Sequence, residues 1–182
     1  MRVIAGTARS LKLKTPEGPD TRPTTDRIKE TLFNMIQAEI PECIFVDLFA
    51  GSGGIGIEAL SRGAKHAYFI ENAREPIACI QENLRFTRFS DRATLIKQNA
   101  ASALSLISEK QADIIFMDPP YAAGYEQSIF SSLAQQSYVT EDTLIIAEAE
   151  RQKEFDFLAE MGFIIVKEKN YKTNKHVFVR KA

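Results

Sequence analysis

Five apolar runs alternate with helical patterns through the middle of this chain, and that alternation constrains the fold more than any other feature. The runs are "CIFVDLF" (43–49), "AYFIE" (67–71), "ATLIKQ" (93–98), "ADIIFMD" (112–118) and "TLIIAEAE" (143–150). The helical patterns are "GIGIEALSR" (54–62), "REPIACIQENLRF" (74–86), "ASALSLIS" (101–108), "YEQSIFSSLAQQ" (125–136) and "RQKEFDFLAEM" (151–161). Strands that are apolar on both faces belong in a parallel sheet covered by helices on both sides. Two more β-rich runs, "FIIVKEK" (163–169) and "KHVFVRK" (175–181), are joined only by "NYKTN". That link is too short for a parallel crossover, so these two pair antiparallel. The expected fold is a doubly wound, mostly parallel, seven-stranded α/β sheet with an antiparallel last strand.

Upstream, "RVIAG" and "LKLKT" read as the two short strands of a β-hairpin, followed by the Pro/Gly-rich "PEGPDTRP". Thr24 or Thr25 can cap the next helix, whose Ile28, Leu32, Met35 and Ile36 recur at helical spacing. The expected organisation is one domain over 1–182, with an N-terminal extension (1–40) and a core (41–182). A chain of 182 residues is long enough for one full hydrophobic core.

The 45% hydrophobic and 26% charged shares are those of a soluble globular protein. No apolar run approaches the roughly 20 residues that span a bilayer, and the start has no signal-peptide core. A cytoplasmic monomer is the expectation. Cys43 and Cys79 lie in apolar contexts outside any C-x-x-C pair and read as buried free thiols. His66 and His176 are isolated and nothing has metal-ligand spacing, so no metal is expected. The formal net charge is −1, yet residues 1–30 carry +3 and residues 167–182 carry +5, around an acidic centre. Basic ends about an acidic middle suit a polyanion held at the edges of a pocket built for a cation. Ordinary surface charge accounts for the pattern equally well.

Gly51-Ser52-Gly53-Gly54-Ile55-Gly56 fits G-x-G-x-x-G between the first core strand and its helix. Such a loop lets backbone approach a ligand at a helix N-terminus, and alone it is a weak signal. Asp47 ends the preceding strand. A carboxylate there repels a pyrophosphate and suits a ligand with an ammonium group, such as S-adenosylmethionine. Glu71, at the end of the second strand, can accept from ribose hydroxyls of either kind of ligand.

"IIFMDPPY" then sets Asp118-Pro119-Pro120-Tyr121 at the end of the fourth strand, on the edge where open α/β sheets bind ligands. Two prolines stop the strand and stiffen the turn. Asp118 and the Pro119 carbonyl form two acceptors suited to a planar amino group, and Tyr121 offers a face for a base. An exocyclic amine is a poor nucleophile, so the catalysis expected here is orientation and electrostatics.

These residues resemble the class I S-adenosylmethionine-dependent methyltransferases with a [DN]-P-P-[YFW] motif. "RPTTDRIKETLFN", "DLFAGSGGIGIEALSRGA" and "DPPY", in that order, are similar to the RsmD family over nearly the whole chain. The resemblance implies methylation of the N2 amino group of a guanine in 16S ribosomal RNA, in an assembling small subunit. It implies that Asp47, Phe49, Gly51, Ser52 and Gly53 line the cofactor with Asp118, and that Glu71 binds its ribose. Asn99-Ala100 stands where the family more often has Asp-Ala against the adenine. Asp118, Pro119, Pro120 and Tyr121 would hold the target base. "RPTTDR" would lie over the cofactor and near the RNA, with its Arg22, Thr24 and Arg27 meeting RNA together with Tyr121.

Three other readings fit less well. A nicotinamide-dependent oxidoreductase needs a phosphate-compatible loop, which Asp47 opposes, and room for a substrate domain. An N6-adenine DNA or RNA methyltransferase shares D-P-P-Y, but the DNA enzymes usually carry a target-recognition insert for which this chain has no room. A non-catalytic RNA-binding module would not need the glycine loop and D-P-P-Y together.

Overall fold

The computed structural model describes residues 1–16, 26–120 and 125–182. The helices are α1 (Asp26–Met35), α2 (Gly54–Ser61), α3 (Arg74–Thr87), α4 (Ala100–Ala103), α5 (Tyr125–Ala134) and α6 (Phe157–Glu160). The strands are β1 (Ile44–Asp47), β2 (His66–Ile70), β3 (Ala93–Ile96), β4 (Ile114–Met117), β5 (Leu144–Glu150), β6 (Phe163–Asn170) and β7 (Asn174–Lys181). They form a seven-stranded sheet in the order β3-β2-β1-β4-β5-β7-β6. The β3-to-β5 part is parallel. β7 inserts antiparallel between β5 and β6. Strand order reverses between β1 and β4, which makes their carboxyl ends the switch point where such sheets bind ligands.

The strands are apolar on both faces because both are covered. Phe45, Phe69 and Phe116 join one core with Leu32, Phe33 and Ile36 of the N-terminal helix region. Their strand neighbours Val46, Tyr68, Ile70, Ile115 and Met117 join the opposite core with Leu104, Phe130 and Tyr138. Edge strand β6 differs: every residue after Phe163 is exposed, Ile164, Ile165 and Val166 among them.

Three expected elements come out shorter; the helix expected over 101–108 is α4 followed by a 3₁₀ turn at Leu104–Leu106. The N-terminal hairpin is reduced to a single bridge between Arg2 and Lys12, with Val3 and Leu13 donating to Leu11 and Met1 carbonyls. The segment is instead anchored from below. Glu58 of α2 accepts from the Ile4 and Ala5 amides at 2.7 and 3.0 Å and pairs with Arg62 at 2.8 Å and Lys29 at 3.4 Å. Lys29 also donates to the Arg2 carbonyl at 2.6 Å. The helix expected over 151–161 is a turn followed by the four residues of α6. Phe155 and Phe157 both pack on Phe130. Two residues apart, they would face opposite sides of a helix.

Candidate active site

β1 delivers Asp47 to the carboxyl edge of the sheet, 1% exposed. Its Oδ2 accepts from the Gly56 amide at 3.2 Å, and its Oδ1, equally buried, has no hydrogen-bond partner among the described residues. Burial pushes this carboxyl up to about 7; the Gly56 amide opposes that, the nearby Glu71 charge adds to it, and the Phe49 amide, close but outside hydrogen-bond geometry, opposes it least. An unsatisfied buried acceptor is costly, and an incoming cation or donor relieves it.

The loop from Asp47 to α2 turns tightly. Gly53 donates to the Ala50 carbonyl at 2.6 Å and, with φ of 82°, precedes α2 in a left-handed conformation. A Cβ at Gly56 would lie 2.4 Å from the Phe69 ring, so glycine is what lets α2 pack onto β2. A Cβ at Gly51 would meet nothing within 4 Å, so the space above that residue is open to a ligand. Ser52 is buried, and its carbonyl accepts from Asn83 at 2.9 Å.

Glu71 braces this loop. One oxygen accepts from the Gly51 amide at 3.0 Å, and the other from Asn72 and Ala73 at 2.8 and 2.9 Å. The oxygen that accepts from Gly51 has capacity left for a hydroxyl donor, whereas the other already accepts two amides. Asn99 is exposed and caps α4, accepting from Ser102 at 3.0 Å, so the oxygen expected to meet an adenine amine already has a donor. Ala100 is buried beside it.

Asp118 and Pro119 directly follow β4, with Pro119 buried and Pro120 exposed. Burial first, then the Glu148 and Asp47 charges, push Asp118 up to about 8. The β4–β5 register, Met117 opposite Ala147, brings Asp118 alongside Glu148. Glu148 was not singled out in the sequence. The available signal is an acid among the last residues of an apolar strand, two residues before its end at Glu150, close to the carboxyl edge that Asp47 and Asp118 occupy. Phe49 completes the edge, its ring 6.3 Å from that of Tyr125 at the start of α5. Arg22, Thr24 and Tyr121 lie outside the described residues.

Arg27 is exposed on α1, but two basic residues counted toward the charged ends are buried. These are Lys29, against Glu58, and Lys175, against Glu168 at 3.0 Å. A cavity of about 600 Å³ beside the extension is lined by Lys12, Lys14, Glu82, Asn83, Arg85 and Phe86. Phe86 is 56% exposed there, and Asn83 links the cavity wall to the glycine loop through the Lys14 backbone and the Ser52 carbonyl. Among the described residues, no group of His, Cys, Asp and Glu could hold a metal, and no helix is long and apolar enough to cross a membrane.

Sheet order, switch-point acids and an open glycine loop together define a class I methyltransferase fold. A precorrin-6y C5,15-methyltransferase from Geobacter metallireducens shares that fold, with a TM-score of 0.67 at 15% identity over 92% of this chain and 93% of the other. The family model described as conserved hypothetical protein 95 matches residues 1–180. The Escherichia coli K12 ribosomal RNA small subunit methyltransferase D is 37% identical over 150 residues, 82% of this chain and 75% of that one. Its Haemophilus influenzae namesake is 35% identical over 158 residues, 84% and 80% of the two chains. The solved structure of yhhF from Escherichia coli aligns with a TM-score of 0.86 at 32% identity, over 100% of this chain and 97% of the other. The chain belongs to the ribosomal RNA small subunit methyltransferase D family, RsmD.

Proposed function

We propose that this chain transfers a methyl group from S-adenosylmethionine to the exocyclic N2 amine of a guanine in 16S ribosomal RNA, presented by a small subunit or its assembly intermediate. The relatives' names support ribosomal RNA as substrate. The observation that carries the reading is the pairing, at one switch point, of a buried unsatisfied acceptor on Asp47 with Asp118-Pro119 one strand away.

The residues present fit the cofactor. Asp47, Asp118 and Glu148 gather carboxyl groups at the sheet edge whose charged forms a cation would favour, and Gly51 leaves open space beside them. Asp47 with Phe49 and the Gly51–Gly53 backbone would hold the methionine end, Glu71 the ribose, and Asn99-Ala100 the adenine. The bound cofactor supplies an electrophilic methyl group on a cationic sulfur. Asp118 and the Pro119 carbonyl orient the two N–H bonds of the amine so that its lone pair faces that methyl. Pro120 keeps the turn rigid, and Tyr121 stacks on the base. Asp118 would also take the proton that the methylated nitrogen sheds. The base must leave its stack to reach this turn, so an accessible loop nucleotide is the expected target.

The test is transfer of labelled methyl to small subunits lacking the modification, followed by nucleoside identification. The expected product is N2-methylguanosine. Asp118→Ala is expected to slow single-turnover transfer about 10²–10³-fold, as when one preorganised group is removed, with cofactor binding better preserved. A methyl-adenine product, a ribose methyl, or a normal rate in the variant overturns the reading.

A further inference from the structure

Glu148 is more than a neighbour of Asp118. Its Oε1 accepts from Asn174 Nδ2 at 2.5 Å, and its Oε2 lies 3.1 Å from His176 Nε2. His176 is fully buried, its ring edge-on to Phe116, and its Nδ1 lies 3.2 Å from the Tyr171 hydroxyl. Both β7 residues pair directly with β5, His176 opposite Glu148 and Asn174 opposite Glu150. The antiparallel insertion of β7 therefore places two polar side chains on one carboxylate, two strands from the switch point. Glu148 cannot swing toward solvent without abandoning both.

The groups that face Asp118 are these. Asp47 of β1 pairs with Phe116, two residues before Asp118, and Met117 pairs with Ala147, so Asp47, Asp118 and Glu148 share one face at the carboxyl edge. Behind Glu148 stand Asn174 and His176 from β7, and Tyr171 from the β6–β7 turn. Glu71, at the end of β2, faces Asp47. Among the described residues, none of the groups acting on Asp118 itself is cationic. A negative charge beside a half-buried carboxyl favours its protonated form.

We propose that Glu148, pinned by Asn174 and His176, is a positioning residue that keeps Asp118 proton-loaded until a cationic cofactor occupies the site. This rests on the reading of the site as an S-adenosylmethionine pocket. In the empty protein Asp118 carries its proton and is a poor acceptor for an amine. The positive cofactor offsets Glu148 and Asp47, Asp118 gives up its proton, and the acceptor pair is complete. Acceptor readiness is thereby coupled to cofactor occupancy. Asp118 is the group that touches the substrate, and Glu148 acts through it.

The experiment measures protons released when S-adenosylmethionine binds the full chain, from calorimetry at pH 7.5 in buffers of different ionisation enthalpy. The native protein is expected to release protons, and Glu148→Gln less than half as many. The acid limb of the single-turnover rate should move to lower pH by about one unit in Glu148→Gln. Glu148→Asp, which keeps the charge, should restore much of both. Absence of proton release from the native protein overturns the inference without any variant. So does native-like release and an unmoved acid limb in a folded Glu148→Gln. If S-adenosylmethionine does not bind at all, it is the cofactor assignment that fails, so the two failures are told apart.

Discussion

At the scale of residues, the site is built from carboxyls kept where water cannot serve them. Asp47 binds its proton more tightly folded than unfolded, with a value of about 7 against 3.8. Below about pH 4 both states hold the proton and Asp47 costs the fold nothing. As pH rises toward 7 the unfolded chain has already released the proton, so stability falls through that window. This is a cost borne for function. Asp47→Asn removes the titration and keeps the shape. It is expected to flatten the decline in Tm between pH 5 and pH 8, seen by calorimetry, leaving the variant more stable than the parent at pH 8. The same variant should bind S-adenosylmethionine more weakly, by about 1.5–3 kcal/mol, the worth of a hydrogen bond to a charged group. Greater stability together with undiminished affinity would separate Asp47 from the ligand.

At the scale of elements, what could be read in the sequence was whatever a few adjacent residues determine. The strand–helix alternation pointed to the parallel sheet because Phe45 and Val46, or Ile115 and Phe116, face opposite cores, and both cores demand apolar side chains. Asp47, the glycines and Asp118 stood out because their roles follow from where a strand stops. Glu148 and His176 did not, because their meeting depends on the register of β7 against β5, across 28 residues. Lys29 reads as one more end charge in the sequence for the same reason, its partner Glu58 lying on another helix. Burial pushes the Lys29 ammonium down from its ordinary value, and Glu58 opposes that. The pair, with the Ile4 and Ala5 amides, joins α1, α2 and the N-terminal segment at one carboxylate. Glu58→Ala strands a buried cation and two amides, and should cost about 3–5 kcal/mol in urea unfolding. The segment holding Arg2 and Lys12 should then become protease-sensitive. A destabilisation under about 1 kcal/mol, the scale of an exposed ion pair, would mean that the segment is held by its apolar packing alone.

At the scale of the whole molecule, charge is sorted by the fold. The carboxyl edge of the sheet gathers acids around the open glycine loop, while Lys12, Lys14, Arg85 and exposed Phe86 line a cavity that Asn83 ties to the back of that loop. Lys14 is partly engaged with Glu82 at 2.7 Å, both well exposed, so that pair yields easily to a phosphate. Arg27 adds charge on α1. A polyanion drawn to these flanks would release counterions, whereas a cofactor held by Asp47 would not. Binding of the small subunit is therefore expected to weaken steeply with salt while cofactor binding hardly changes. Replacing Lys12 and Arg85 with Ala should lower subunit affinity and reduce the slope of log affinity against log salt by about one for each phosphate no longer neutralised. Phe86→Ala should weaken binding with the slope unchanged, because stacking on a base releases no ions. Filter binding across a salt series separates the two effects. A double variant that keeps the parent slope would move the RNA face away from this cavity and leave Arg27 and its neighbourhood as the remaining basic approach to the site.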